Sequence, residues 1–236
     1  MAQRLAPQPG GYHWRDAGHV AWWTTRMDTP EEDRTRELAF LARLVPAVSP
    51  APRILDLGAG YGAVSAAVLA KLPGATAVLV DFSPPMMAEG QTRLRDLAGR
   101  WRYVEWDLND NGWPDGAAGP FDAVVSAQAL HHLTDERKAR LYGQVYERLV
   151  PGGALVVWDP VRPPHPYLAQ VYESVARGES APAPQPAHDH PPTGHSAGIA
   201  PLADHLGWLR AAGFAAVDCF WKRGDSAIFG GYKLAG

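Results

Sequence analysis

The run from Arg53 to Gly62, RILDLGAGYG, constrains this chain more than any other stretch. A short apolar segment, Ile54 to Leu57, leads into glycines at 58, 60 and 62, and an apolar helix-forming segment, Ala63 to Leu72, follows them. Such a pattern implies a buried strand, a tight turn and a helix. Glycines in the turn permit positive φ and let a ligand approach the backbone closely. A strand–glycine turn–helix unit is where an α/β fold holds a nucleotide-like ligand. Asp56 lies just ahead of Gly58. A carboxylate at that strand end repels pyrophosphate and favours a cationic ligand group. The motif alone leaves alternatives open. Gly58-x-Gly60-x-x-Ala63 also meets a relaxed dinucleotide pattern, with Asp81 near the spacing of a ribose-binding acid. A turn with no ligand is the plain structural reading.

The rest of the chain extends the α/β rhythm. Ala75 to Val80 reads as a second strand ending at Asp81, and Ser83-Pro84 starts a helix carrying Met86, Met87 and Leu94. Trp101 to Trp106 alternates like a third strand ending at Asp107, and Phe121 to Ser126 is a fourth. A helix is expected from Thr134 through Leu149, closed by Pro151-Gly152-Gly153, then a fifth strand from Ala154 to Trp158 ending at Asp159. Apolar strands alternating with helices imply a parallel sheet covered on both faces. Upstream, Thr29, Pro30 and Glu32 form a capping box for a helix whose apolar face is Leu38, Leu41, Leu44 and Val45. Residues 178–201 are rich in Pro, Gly, Ala and His and read as irregular. A helix over about 201–212 precedes two extended runs, Ala215 to Trp221 and Ser226 to Lys233, joined as a hairpin through Lys222 to Asp225.

Composition excludes several classes. With 236 residues and 46% hydrophobic content, one domain with local elaborations is expected. The net charge of −3 and the lack of a basic tract disfavour nucleic acid as a partner. Cys219 is the single cysteine, which rules out an internal disulfide and a thiolate metal cluster. No apolar run approaches membrane-spanning length, and the first residues carry no apolar signal core, so no membrane partner and a cytoplasmic location are expected.

The segment FDAVVSAQALHHL at 121–133, followed by a helix and LVPGGALVVWDP at 149–160, resembles the second half of the class I S-adenosylmethionine-dependent methyltransferase core. Asp56-x-Gly58-x-Gly60-x-Gly62 is similar to the first motif of that family, and the runs after AGF at 212–214 resemble its closing pair of strands. The resemblance covers residues 34–177 and 201–236 and implies an α/β, Rossmann-like seven-stranded sheet of order 3-2-1-4-5-7-6, strand seven antiparallel, flanked by helices. It implies S-adenosyl-L-methionine as cofactor and one methyltransferase domain over 1–236. Residues 1–46 would form an aromatic and helical lid, and residues 160–212 an insertion or cap.

The resemblance also implies roles. Asp56, Gly58, Ala59 and Gly60 correspond to the site flanking the methionine portion, with Gln128 nearby. Asp81 corresponds to the acid that accepts the ribose hydroxyls, with Phe82 positioned to stack on adenine and Met86 at the start of the next helix. Asp107 corresponds to the acid at the adenine amino group, with Leu108 beside the ring. Trp22 and Trp23 either pack a helix onto the core or line a lid over cofactor and substrate, with Arg26 or Arg36 meeting the cofactor carboxylate. The duller role for each strand-end Asp is a turn or helix cap, and for Asp81 the following Ser83-Pro84 makes that a real competitor.

Methyl transfer is a displacement at a sulfonium carbon, and the protein must align the nucleophile, exclude water and accept a proton where one is released. His131 and His132, after strand four, and Asp159, after strand five, are the candidate catalytic residues. Histidine accepts protons near neutrality, and the alternative is a structural role for either ring. His188, His190 and His195, with Asp189, have zinc-like spacing in a Pro-rich tract. The tract reads better as a loop near the substrate, and no metal is expected. The leading reading is a small-molecule methyltransferase, O- or N-directed, working as a monomer or homodimer. Its alternatives are an enzyme making a carboxylated derivative of the cofactor and a non-catalytic cofactor-binding subunit.

Overall fold

The computed structural model of the chain describes residues 11–27, 32–184 and 198–235. Five parallel strands form the centre: β1 Arg53–Leu57, β2 Thr76–Asp81, β3 Trp101–Glu105, β4 Phe121–Ala127 and β5 Leu149–Pro160. The final hairpin, β6 Asp218–Arg223 and β7 Ser226–Tyr232, joins at the β5 edge with β7 antiparallel to both neighbours. The seven-stranded order is β3-β2-β1-β4-β5-β7-β6, as the family resemblance implies.

The helices are α1 Ala17–Met27, α2 Glu32–Leu44, α3 Ala63–Lys71, α4 Pro84–Arg93, α5 Asp135–Arg148, α6 Pro166–Ala176 and α7 Leu202–Ala211. Strand side chains alternate between faces, and two cores result. Leu55, Leu57 and Val157 pack with Leu141 and Val145 of α5 and Leu209 of α7. Ile54, Val156 and Trp158 pack with Leu41 of α2 and Val64 and Val68 of α3. β1 is therefore apolar on both faces, which is why its single acid needs a special partner.

Local chemistry starts the helices where the sequence indicates. Ser83 caps α4 by accepting from the Met86 amide at 3.2 Å, ahead of Pro84 at the first helical position. Thr134 caps α5 through the Arg137 amide at 3.3 Å. The capping residues Thr29 and Pro30 lie outside the described residues.

Several boundaries differ from the sequence reading, among them the start of β6, which is Asp218 and not Ala215. β5 begins at Leu149, not Ala154, because Leu149 pairs with Phe121 across a register irregularity. Pro151-Gly152-Gly153 does not end the pairing, since Gly152 donates to Lys233 O at 2.6 Å and Lys233 donates back to Gly153 O at 2.8 Å. β6 and β7 run into the expected turn as far as the Arg223–Ser226 pair, leaving only Gly224 and Asp225 between them. Gly224, at φ +59°, makes so short a connection possible. α6 was not anticipated. His165 caps it through the Tyr167 amide at 3.2 Å, with Pro166 at its first position. No helix among the described residues is long and apolar enough to cross a membrane.

Candidate active site

The glycine loop is held in one shape from several sides. Gly58, Gly60 and Gly62 have φ of +63°, +53° and +82°. A Cβ on Gly58 would collide with the Ala129 side chain, and one on Gly62 would lie 2.6 Å from Leu94 Cδ1. A Cβ on Gly60 would meet nothing nearer than Met86 Sδ at 4.0 Å. Gly58 and Gly62 therefore serve packing, while Gly60 leaves backbone open. The Ala59 amide donates to Val80 O at 3.0 Å. The Gly60 amide donates to Asp81 Oδ2 at 2.7 Å, and Tyr103 Oη donates to Gly60 O at 2.8 Å. Tyr103 is a supporting residue that the sequence reading missed. Its approach over Gly90, where any side chain would strike the phenol, is visible only in three dimensions.

The three strand-end acids have different surroundings. Asp56 is fully buried, and its Oδ2 accepts from Ser65 Oγ at 2.7 Å and from the Ser65 amide at 3.2 Å. Its Oδ1 has no hydrogen-bond partner among the described residues, and burial pushes its pKa up to about 7. The carboxylate is thus turned into the layer beneath α3. Asp81 also accepts from the Ser83 amide, at 2.9 Å, and burial raises its pKa against these hydrogen bonds. It fills the capping role and steadies Gly60 at once. Asp107 is half-buried and accepts at Oδ1 from both Asn109 nitrogens at 2.9 Å. Beside it, Leu108 is buried, and Arg137 of α5 donates to Leu108 O at 2.6 Å and to Asp110 O at 3.0 Å. Arg137 thereby pins the loop after β3, a second support absent from the sequence reading. Phe82 is half-buried under the Arg15 guanidinium, 5.7 Å from its ring centre, and Met86 is buried below Gly60.

His131 and Asp159 form a dyad across the ends of β4 and β5. His131 Nδ1 lies 2.8 Å from Asp159 Oδ1. Asp159 is 1% exposed and His131 19% exposed in their side chains, so the dyad has a buried foot and an accessible ring. An ionised Asp159 holds the proton on Nδ1 and leaves Nε2 free to accept one. Burial raises the Asp159 pKa, opposed first by the His131 hydrogen bond and, more weakly, by Lys138. Lys138 is itself fully buried, donating to Asp135 Oδ1 at 2.9 Å and to Gly198 O. His132 packs 4.0 Å from the His131 ring and is pushed down to about 4, by burial first and then by its histidine neighbours. A ring that stays neutral to such low pH is the weaker proton acceptor, and the two candidates are thus separated.

The N-terminal aromatics divide. Trp14 meets His132 edge-on at 6.4 Å and Trp23 at 5.4 Å, and Trp23 reaches Tyr61 of the glycine loop at 5.9 Å. Ser83 Oγ donates to the Trp14 carbonyl. Trp22 is 52% exposed, and Arg26 lies over its outer ring. Helical geometry puts Trp22 and Arg26 on the solvent side of α1, away from the loop. Of the arginines near the rim, Arg34 reaches the loop, donating to Tyr61 Oη at 3.1 Å. Gln128, at φ +56°, lines a cleft of about 250 Å³ with Arg34, Glu37, Trp158 and Trp221. His188, Asp189, His190 and His195 lie outside the described residues. Among the described residues no cluster of three metal-ligating side chains occurs.

Residues 55–155 match the model of a methyltransferase domain family. The chain is 38% identical over 127 residues to a demethylmenaquinone methyltransferase of Thermus thermophilus, an overlap of 53% of this chain and 56% of that protein. An O-methyltransferase family protein from Burkholderia thailandensis has a similar structure, with a TM-score of 0.69 at 19% identity over 98% of this chain and 64% of that one. Human N-acetylserotonin methyltransferase, in complex with S-adenosylmethionine, gives 0.65 at 18% identity over 98% and 61%. The chain thus spans a little over half of that relative and under two thirds of either structure.

Proposed function

We propose that the protein moves a methyl group from S-adenosyl-L-methionine to a hydroxyl of a small-molecule acceptor, a reading supported by the match of residues 55–155 to a methyltransferase domain family and by the strand order. The His131–Asp159 pair at 2.8 Å carries this reading. The rim also fits the cofactor. Gly60 leaves room above the loop, and Asp81 stands at the end of β2 with Asp107 after β3, whereas Asp56 is turned away onto Ser65. In this assignment Asp81, Phe82, Asp107 and Leu108 hold the nucleoside end. The glycine loop, Arg34 and Gln128 hold the amino-acid end, in place of Arg26 or Arg36. Bound there, the cofactor supplies a methyl group already activated on sulfonium sulfur.

The chain's own residues do the rest. His131 Nε2 accepts the acceptor's hydroxyl proton as its oxygen attacks, and the buried Asp159 carboxylate stabilises the imidazolium and fixes the ring. His132 packs against His131, Trp14 packs against His132 in turn, and together they exclude water from that side. Residues 1–46 act as the lid and 160–212 as the cap, in a cytoplasmic enzyme of one domain. The demethylmenaquinone methyltransferase relative favours a second reading, a quinol-type acceptor. His131 would serve the same way there, taking a ring hydroxyl proton.

Incubation with methyl-labelled cofactor and a panel of phenols and quinols tests both readings. Label in an acceptor together with S-adenosylhomocysteine is expected, and the site of the new methyl, read by NMR, distinguishes them. A carboxylated cofactor product, cofactor binding without turnover on any acceptor, or NADH binding in place of the cofactor would overturn the reading.

A further inference from the structure

We propose that Lys138 of α5 is a positioning residue for the His131–Asp159 pair, acting through residues 198–201, which its buried ammonium ties to the backbone beside both members. The inference rests on the methyltransferase reading and adds a residue to its proton-accepting site. Asp159 does not fix the pair by itself, because its buried Oδ2 has no hydrogen-bond partner among the described residues. The neighbouring backbone supplies the support. Gly198, at φ +103°, lies so close to the His131 carbonyl that a Cβ would collide with it, and that Cβ would also be 3.1 Å from the Leu133 carbonyl oxygen. Further along, Ala200 O accepts from the Arg162 amide at 2.9 Å, and Pro201 pairs with Arg162 as a parallel bridge. Arg162 follows Asp159 closely at the exit of β5. Residues 198–201 thus span from the turn that carries His131 to the chain leaving Asp159.

Lys138 holds the near end of that span. Its side chain is fully buried, and Nζ donates to Gly198 O and, at 2.9 Å, to Asp135 Oδ1. The indole of Trp208, in α7 just beyond the span, has its ring centre 5.8 Å from the same ammonium. Stability is a weak reason for such a group, because a buried ion pair often does no better than an apolar side chain of like volume. An ammonium does what an apolar group cannot, which is to fix a carbonyl through a charge-assisted hydrogen bond. Here it is the carbonyl of the residue packed on His131. The charge of Lys138 also favours the ionised Asp159, though less than His131 does. Tyr142, which bears electrostatically on Asp159, is hydrogen-bonded to His205 Nδ1 at 2.7 Å, and burial pushes the His205 ring down to about 3. That pair adds no positive charge near neutrality and leaves the role to Lys138.

Ring-nitrogen NMR of the isotopically labelled histidines, in the presence of S-adenosylhomocysteine, tests this without an acceptor. The His131 signals are those lost in His131→Gln. In the wild type Nδ1 should be protonated and Nε2 bare, so the two resonances stand far apart. Lys138→Met should let the ring sample both tautomers and draw the two resonances together, while S-adenosylhomocysteine affinity is unchanged. Gly198→Ala, which displaces the same span without removing the buried charge, should do likewise. A lysine that served only the fold would lower stability on removal and leave the His131 resonances in place, and that result in folded Lys138→Met overturns the proposal. Unmoved resonances in Gly198→Ala overturn it as well, so it is decided even if Lys138→Met does not fold. A loss of S-adenosylhomocysteine affinity in Lys138→Met would place the residue in support of the cofactor site and would also overturn it. Failure of the wild type to bind S-adenosylhomocysteine would instead remove the methyltransferase reading, and the spectra, which need no turnover, would still decide the role of Lys138.

Discussion

Asp81 Oδ2 accepts the Gly60 amide at 2.7 Å, which ties the acid at the end of β2 to the loop that follows β1. One carboxylate therefore shapes the loop and presents itself to the rim. Asp81→Ala should weaken S-adenosylhomocysteine binding by about 2–3 kcal/mol, as loss of a charged acceptor does. Calorimetry on the folded variant reads this directly. Unchanged affinity would leave Asp81 only its cap on Ser83.

The two histidines should behave differently. His131→Ala should lower kcat by about 10²–10⁴-fold with cofactor affinity nearly unchanged. His132→Ala should keep most of kcat, because burial holds that ring neutral down to about pH 4. Asp159→Asn should cost less than His131→Ala, since orientation is lost while the base remains. Steady-state kinetics against a found acceptor measures all three, and equal losses in both histidine variants would contradict the assignment.

Asp56 makes stability pH-dependent in a defined direction. Its folded pKa, about 7, lies above the ordinary value of 3.8, so the folded state binds the proton more tightly. Its contribution is intact below the ordinary value and is lost as pH rises through about 7. The Asn of Asp56→Asn can still accept from Ser65 and never ionises. That variant should gain on wild type between pH 4 and pH 8, by up to ~4 kcal/mol for a shift of about three units. Paired denaturant titrations across that range show the divergence or its absence.

The loop glycines should rank by space. Gly58→Ala combines a positive φ of +63° with a collision against Ala129 and should destabilise by about 2–4 kcal/mol. Gly60→Ala has room for the methyl and should cost only the backbone term, ~1–2 kcal/mol. Chemical denaturation of the two variants gives the order. The reverse order would mean that Gly60 is crowded.

Much of this architecture was legible in the chain. Apolar strands between capped helices implied the sheet, because burial on both faces imposes composition directly. Ser83-Pro84 and Thr134 marked helix starts because capping is local. The dyad was foreseen as a neighbourhood, since His131 and Asp159 follow adjacent strands of a known order. The sequence alone thus determined the fold class, the glycine loop and the rim where the strand-end acids stand. Only the tertiary structure decided which histidine meets Asp159, that Asp56 turns inward to Ser65, and that Arg34 reaches the loop while Trp22 and Arg26 face solvent. Those outcomes depend on burial and on contacts between residues far apart in the chain, such as His131 with Asp159. Desolvation and side-chain direction are properties of the packed molecule, and no local pattern of residues encodes them.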